Sequence, residues 1–164
     1  MSDKQKTIHD FELKTLRGQP LPLAEHKGKA VLVVNTASKC GFTPQYKELE
    51  AIWQKYRDEG LLVIGVPSND FAGQEPGNAE EIEEFCEINF GVDFPLTEKV
   101  HVTGADAHPL FKWLGAQGGI LSKPRWNFYK YVIGRDGKLV DWFASTTAPG
   151  SAKVEKAIRK ALGK

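Results

Sequence analysis

The sequence predicts an α/β fold, a central mixed sheet flanked by helices. Two apolar runs carry most of that prediction. Lys29–Asn35 contains Ala-Val-Leu-Val-Val, and Leu61–Val66 reads Leu-Leu-Val-Ile-Gly-Val. Continuous apolar runs of this length suit strands covered on both faces. Each is followed by apolar residues at helical spacing, the alternation expected of α/β chains. The third observation is Asp136-Gly137 between two strand-like runs. Asp-Gly at such a place is a strong hairpin signal, and it adds an antiparallel edge.

The elements follow in order. Phe11–Leu16 alternates weakly and leads into Gly18-Gln19-Pro20, which reads as a hairpin turn. After the first central strand, Tyr46, Leu49, Trp53 and Tyr56 recur at helical spacing, with Ile52 beside them. Thr43 is expected to cap this helix, Pro44 to take its first position and Gly60 to end it. Leu61–Val66 is the second buried strand. The next helix, Ile82–Phe90, sets Ile82, Phe85, Cys86 and Asn89 or Phe90 on one face. Glu80, Glu81, Glu83, Glu84 and Glu87 crowd the other, read as a solvated face without function. Like charges four residues apart there should weaken the helix. Phe94-Pro95-Leu96 is a short extended piece, and a helix around Pro109–Leu114 buries Leu110, Phe111 and Leu114. Tyr129–Ile133 and Lys138–Phe143 flank the Gly134–Gly137 turn. The closing helix uses Val154, Ile158, Ala161 and Leu162, with Ser151 as its cap. There is no internal repeat, and the chain reads as one domain over residues 1–164.

Composition removes several functions. The 164 residues hold 22 Lys+Arg against 21 Asp+Glu, a net charge of +1. No basic excess exists to hold nucleic acid or an anionic membrane. No apolar run approaches the ~20 residues of a membrane-spanning helix. The polar start lacks the apolar core of a secretory signal, so a cytoplasmic setting is expected. Cys40 and Cys86 are the only cysteines, too few for a disulfide scaffold or a four-cysteine metal cage. His9, His26, His101 and His108 form no helical metal pair, and most are read as surface residues. No Gly-x-Gly-x-x-Gly follows a strand, so neither metal nor nucleotide cofactor is expected.

Cys40 stands between the first central strand and the Tyr46 helix. A cysteine near a helix N-terminus feels unpaired N–H groups and the positive end of the dipole, which favour the reactive thiolate. Two readings stay open on position alone: a reactive thiolate, or a small hydrophobe packed in a turn. Cys40-Gly41-Phe42-Thr43 lacks the second cysteine of a Cys-x-x-Cys dithiol, which weighs against a general disulfide reductase. A lone thiolate suits attack on an electrophile such as a peroxide oxygen.

Three segments then carry a resemblance. Asn35-Thr-Ala-Ser-Lys-Cys-Gly-Phe-Thr43, Pro67-Ser-Asn-Asp-Phe-Ala-Gly-Gln-Glu-Pro-Gly77 and Lys123-Pro-Arg-Trp-Asn-Phe128 resemble, in order, the three signatures of the glutathione peroxidase family. The similarity runs from about Phe11 to the C-terminal helix. It implies a thioredoxin-like fold and a catalytic group of Cys40, Gln74, Trp126 and Asn127. The three donors would hold the thiolate and stabilise the departing oxygen. Cysteine rather than selenocysteine at position 40 places the resemblance with the sulfur branch.

The resemblance also implies that Cys86 resolves a Cys40 sulfenic acid, since Phe85–Pro95 is similar to the resolving segment of thioredoxin-dependent members. Its place on an apolar helix face equally fits an inert core cysteine. A Cys40–Cys86 disulfide suits thioredoxin as reductant, with glutathione the alternative, on hydrogen peroxide and organic hydroperoxides. A peroxide-sensing relay to a client protein uses the same residues. The short Gly115–Ser122 connection, where tetrameric members carry an extra loop, points to a monomer or loose dimer. The Ile82–Phe90 helix is expected to open before Cys86 can reach Cys40.

Overall fold

The computed structural model describes residues 6–164; the polar start at residues 1–5 lies outside the described residues. The small strands β1 (Glu12–Lys14) and β2 (Pro20–Pro22) pair antiparallel through the predicted turn. The main sheet holds β3 (Ala30–Thr36), β4 (Leu61–Pro67), β5 (Lys130–Ile133) and β6 (Leu139–Phe143). Its order is β4-β3-β5-β6, with β3 parallel to β4 and antiparallel to β5, and β5 antiparallel to β6. The helices are α1 (Gln45–Tyr56), α2 (Ala79–Phe90), α3 (Pro109–Gly118) and α4 (Ala152–Ala161). None is long and apolar enough to cross a membrane.

Every residue of β3 and β4 is buried, as the continuous apolar runs require. Leu32, Val34 and Val63 face one core with Tyr46, Leu49, Ile82, Cys86 and Ile158. Val31, Val33 and Ile64 face the other with Leu110, Phe111 and Leu114 of α3. Gly65 stands within β4 where the Phe94–Thr97 segment runs against the strand. Its N–H donates to Pro95 O at 3.0 Å, and a Cβ would meet Leu96 Cδ2 at 2.6 Å.

Several local expectations change. Thr43 does not cap α1; Pro44 takes the capping position without a side-chain bond, and the Thr43 hydroxyl is used in the Cys40 turn. The first strand contracts to Glu12–Lys14. α2 begins at Ala79, three residues earlier than expected, because Asn78 and Glu81 form a capping box. Glu83 is also engaged, taking a two-pronged contact from Arg17 at 2.9 and 3.2 Å. Ser151 caps α4 as expected. His9, His26 and His108 are half-buried rather than on the surface, and the His108 ring caps α3.

Candidate active site

Cys40 lies in the loop that leaves the C-terminal end of β3, where open α/β sheets place their sites. It is 7 % exposed. Its sulfur accepts a hydrogen bond from Phe42 N at 3.4 Å. Cys40 N donates to Thr43 Oγ1 at 2.9 Å, and that hydroxyl donates to Ala37 O at 2.8 Å. Thr43 thus ties both sides of the cysteine turn. Three-residue turns continue from Cys40 into α1, with Thr43 N on Cys40 O and Tyr46 N on Thr43 O, each at 3.0 Å.

Gln74 sits in the loop after β4. Ala72 and Gly73 both take positive φ, at 55° and 61°, and turn the chain back towards Cys40. The Gln74 carbonyl accepts from Lys39 N at 3.0 Å, which joins the two loops. Its side-chain Oε1 accepts from Asn127 Nδ2 at 3.0 Å. With Oε1 occupied, the Gln74 amide nitrogen is left to donate elsewhere.

Trp126 and Asn127 precede β5 at a strained turn. Phe128 has φ 63°, an uncommon conformation for an aromatic residue. Asn35 holds it there. Asn35 O accepts from Phe128 N, Asn35 Nδ2 donates to Trp126 O, and Asn35 Oδ1 accepts from Tyr129 N. Ser145 Oγ adds a 2.5 Å bond to Asn127 O. Asn127 is fully buried and its Oδ1 has no partner. The Trp126 ring is half-buried and lies 6.0 Å from Phe71.

Behind this turn, Lys130 is completely buried, and its ammonium donates to Ala144 O and Ser145 O. Burial pushes it down to about 7, opposed by the charge of Glu48. Gln45 Nε2 reaches the same Ser145 carbonyl at 2.7 Å. Lys130, Ser145, Asn127 and Gln74 form one continuous hydrogen-bonded line.

Cys86 faces inward from α2, 1 % exposed, and is a free thiol, as is Cys40. Burial pushes its thiol up to about 11; the neighbouring Tyr46 hydroxyl works against that, and Glu75 adds to it. Both cysteines belong to one buried cluster. Between the cysteine loop and α2 lies a cavity of about 290 Å³, lined by Ser38, Lys39 and Glu75 on one side and Glu81, Ile82 and Phe85 on the other.

The structure therefore joins Gln74 to Asn127 directly and to the Cys40 loop through Lys39. It sets Trp126 beside the same turn and keeps Cys86 on a packed helix. Sequence reasoning passed over Asn35, Glu75, Lys130 and Ser145. Three of them carried signals: Asn35 and Glu75 lie inside the quoted motifs, and Lys130 is a lone charge in an apolar strand.

Comparison with known proteins adds a family. Residues 8–115 match the family model for glutathione peroxidase. A glutathione peroxidase-like peroxiredoxin of Chlamydomonas reinhardtii is 50% identical over 150 residues, covering 90% of this chain and 93% of that protein. A crystal structure of Trgpx in apo form superposes with a TM-score of 0.79 at 39% identity, covering 98% of this chain and 97% of the other. A thioredoxin-family thiol:disulfide interchange protein from Chlorobium tepidum shares the fold at 17% identity, with a TM-score of 0.66 and 93% of each chain covered.

Proposed function

This chain belongs to the glutathione peroxidase family, and we propose that Cys40 is the thiol with which it reduces hydrogen peroxide and organic hydroperoxides. The observation that supports this most is the Asn127–Gln74 bond beside a cysteine loop that Gln74 also holds by its backbone. In the proposed first step the Cys40 thiolate attacks one peroxide oxygen and the O–O bond breaks. The sulfur takes up OH as a sulfenic acid, and the remaining fragment leaves as water or an alcohol once protonated. The Gln74 amide, the Trp126 indole N–H and the Asn127 amide are neutral donors. They stabilise charge on sulfur before attack and on oxygen after it. None carries a net proton to give, so the departing oxygen draws it from solvent or from the peroxide.

Cys86 then attacks the Cys40 sulfenic acid, and a dithiol reductant opens the resulting disulfide. A thioredoxin-type reductant agrees with the peroxiredoxin name of the algal relative. A packed α2 must yield for this, because Cys86 points into the core from it. The protein is proposed to act as a monomer or loose dimer. Steady-state turnover tests the assignment. Hydrogen peroxide with thioredoxin and its reductase should support repeated turnover, Cys40→Ser should abolish it, and glutathione should substitute poorly. Undiminished turnover by Cys40→Ser would end the assignment.

A further inference from the structure

We infer that Glu75 is the general base of the second half-reaction: its carboxylate takes the proton from the Cys86 thiol and returns it to the hydroxide that leaves Cys40. The inference rests on the reading above, in which Cys86 resolves a Cys40 sulfenic acid.

The placement of Glu75 is unusual. It is 1 % exposed, and neither carboxylate oxygen makes a well-formed hydrogen bond; Ser38 stands close enough to favour its charged form. A buried carboxylate left this way is costly, so it calls for a reason. Its backbone is pinned on both sides, with Glu75 N on Asn69 Oδ1 at 2.9 Å and Lys99 Nζ on Glu75 O at 2.7 Å. The residue lies between the cysteine loop and α2, where with Ser38 it lines the 290 Å³ cavity. Thr36 Oγ1, Ser38 Oγ and Tyr46 OH are buried as well, without well-formed hydrogen bonds. Tyr46 faces Thr36, Cys86 and Glu75. Ser38 stands close to Glu75 and Tyr46 close to the Cys86 thiol, so Glu75 and Cys86 share one buried polar neighbourhood.

The charges around Glu75 suit a proton acceptor. Burial raises its carboxyl above the ordinary carboxylate range, while Ser38 and Lys99 restrain the rise. Cys86 and Tyr46 also feel its charge, and Lys39 and Glu81 stand on the walls of the cavity. No histidine lines that space. The resolving thiol needs a base: burial pushes it up to about 11 on packed α2, and even an unburied thiol is mostly protonated at neutral pH. Glu75 is next to Gln74, whose carbonyl is tied to Lys39, so it stays with the cysteine loop when α2 opens.

The step balances. The Cys86 S–H proton passes to Glu75 as the S–S bond forms, and the Cys40 S–O bond breaks. Cys86 sulfur is oxidised and Cys40 sulfur reduced. The hydroxide takes the proton from Glu75 and leaves as water, which restores the carboxylate.

Rapid-quench intact mass spectrometry after one equivalent of hydrogen peroxide separates the two steps. The oxygen-added species reports the first, and its conversion to the species lighter by two hydrogens reports the second. Glu75→Gln keeps the shape and removes the base. We expect an unchanged first step and a second step slowed at least about ten-fold at pH 7, within the range for general base catalysis. The gap should close as the pH approaches that of thiol ionisation. Equal second-step rates would overturn the inference, as would both steps slowing by one common factor. Should the variant fail to fold, the unaltered protein decides. Its second step should level off once Glu75 is ionised, and a tenfold rise per pH unit throughout would mean unassisted thiol ionisation. An unaltered protein that never loses two hydrogens would instead defeat the Cys86 reading itself.

Discussion

At the scale of single residues, the proposed donors depend on partners buried behind them. Asn127 is aimed by Asn35, Ser145 and the positive φ of Phe128, and it then fixes Gln74. Gln74→Ala and Asn127→Ala should each lower kcat/KM for peroxide by about 10²-fold, the size of losing one positioned donor to a developing oxyanion. Single-turnover kinetics of sulfenic acid formation would measure it, and a change under two-fold would remove either residue from the first step. Lys130 makes a different prediction. Its folded value of about 7 lies below the ordinary lysine value, so between about pH 7 and 10.5 the unfolded chain binds the additional proton. Stability should rise with pH across that window, and the cost of burying the charge is felt in full below it. Urea midpoints at pH 6 and pH 9 should therefore rise in the unaltered protein relative to Lys130→Met. Parallel changes in the two would show that the charge is not held at such a cost.

At the scale of elements, α2 is where resolution meets stability. It carries the Asn78–Glu81 capping box at its start and Gly91 in the left-handed conformation at its end. Arg17 reaches Glu83 from the β1–β2 turn, though that pair is exposed and worth little. Asn78→Ala should cost about 1 kcal/mol and speed disulfide formation while leaving sulfenic acid formation alone. Amide exchange should also show α2 opening more readily than α1, and equal protection of the two would contradict an opening helix. The elements themselves were legible in the sequence to different degrees. The β3 and β4 runs and the Asp136-Gly137 turn were plain because burial on both faces and a tight turn leave few residue choices. The start of α2 was not, since capping by Asn78 precedes any apolar residue. Thr43 misled for a physical reason: one hydroxyl can serve a helix terminus or the Cys40 turn, and the turn has it.

At the scale of the whole molecule, strand order decides which loops meet. β3 sits between β4 and β5, so the loops leaving the C-terminal ends of β3 and β4 converge on the segment that leads into β5. That order brings together Cys40, Gln74 and Asn127, residues far apart along the chain. The three motifs named the residues, but periodicity alone could not have joined them, because nothing in a strand pattern states its neighbours. Ser145 was beyond reach for the same reason, and Glu75, though inside a quoted motif, gave no sign of its burial; their meaning comes from burial and from partners in other elements. Sedimentation at micromolar concentration should give a monomer or a weakly associating dimer, and a stable tetramer would contradict that proposal. The central claim is that two cysteines, one in a loop and one on a packed helix, complete a single redox cycle. Intact mass after one equivalent of peroxide tests it most directly: the unaltered protein should lose two hydrogens, and Cys86→Ser should instead gain one oxygen. A Cys86→Ser protein that still loses two hydrogens while remaining monomeric would contradict the account.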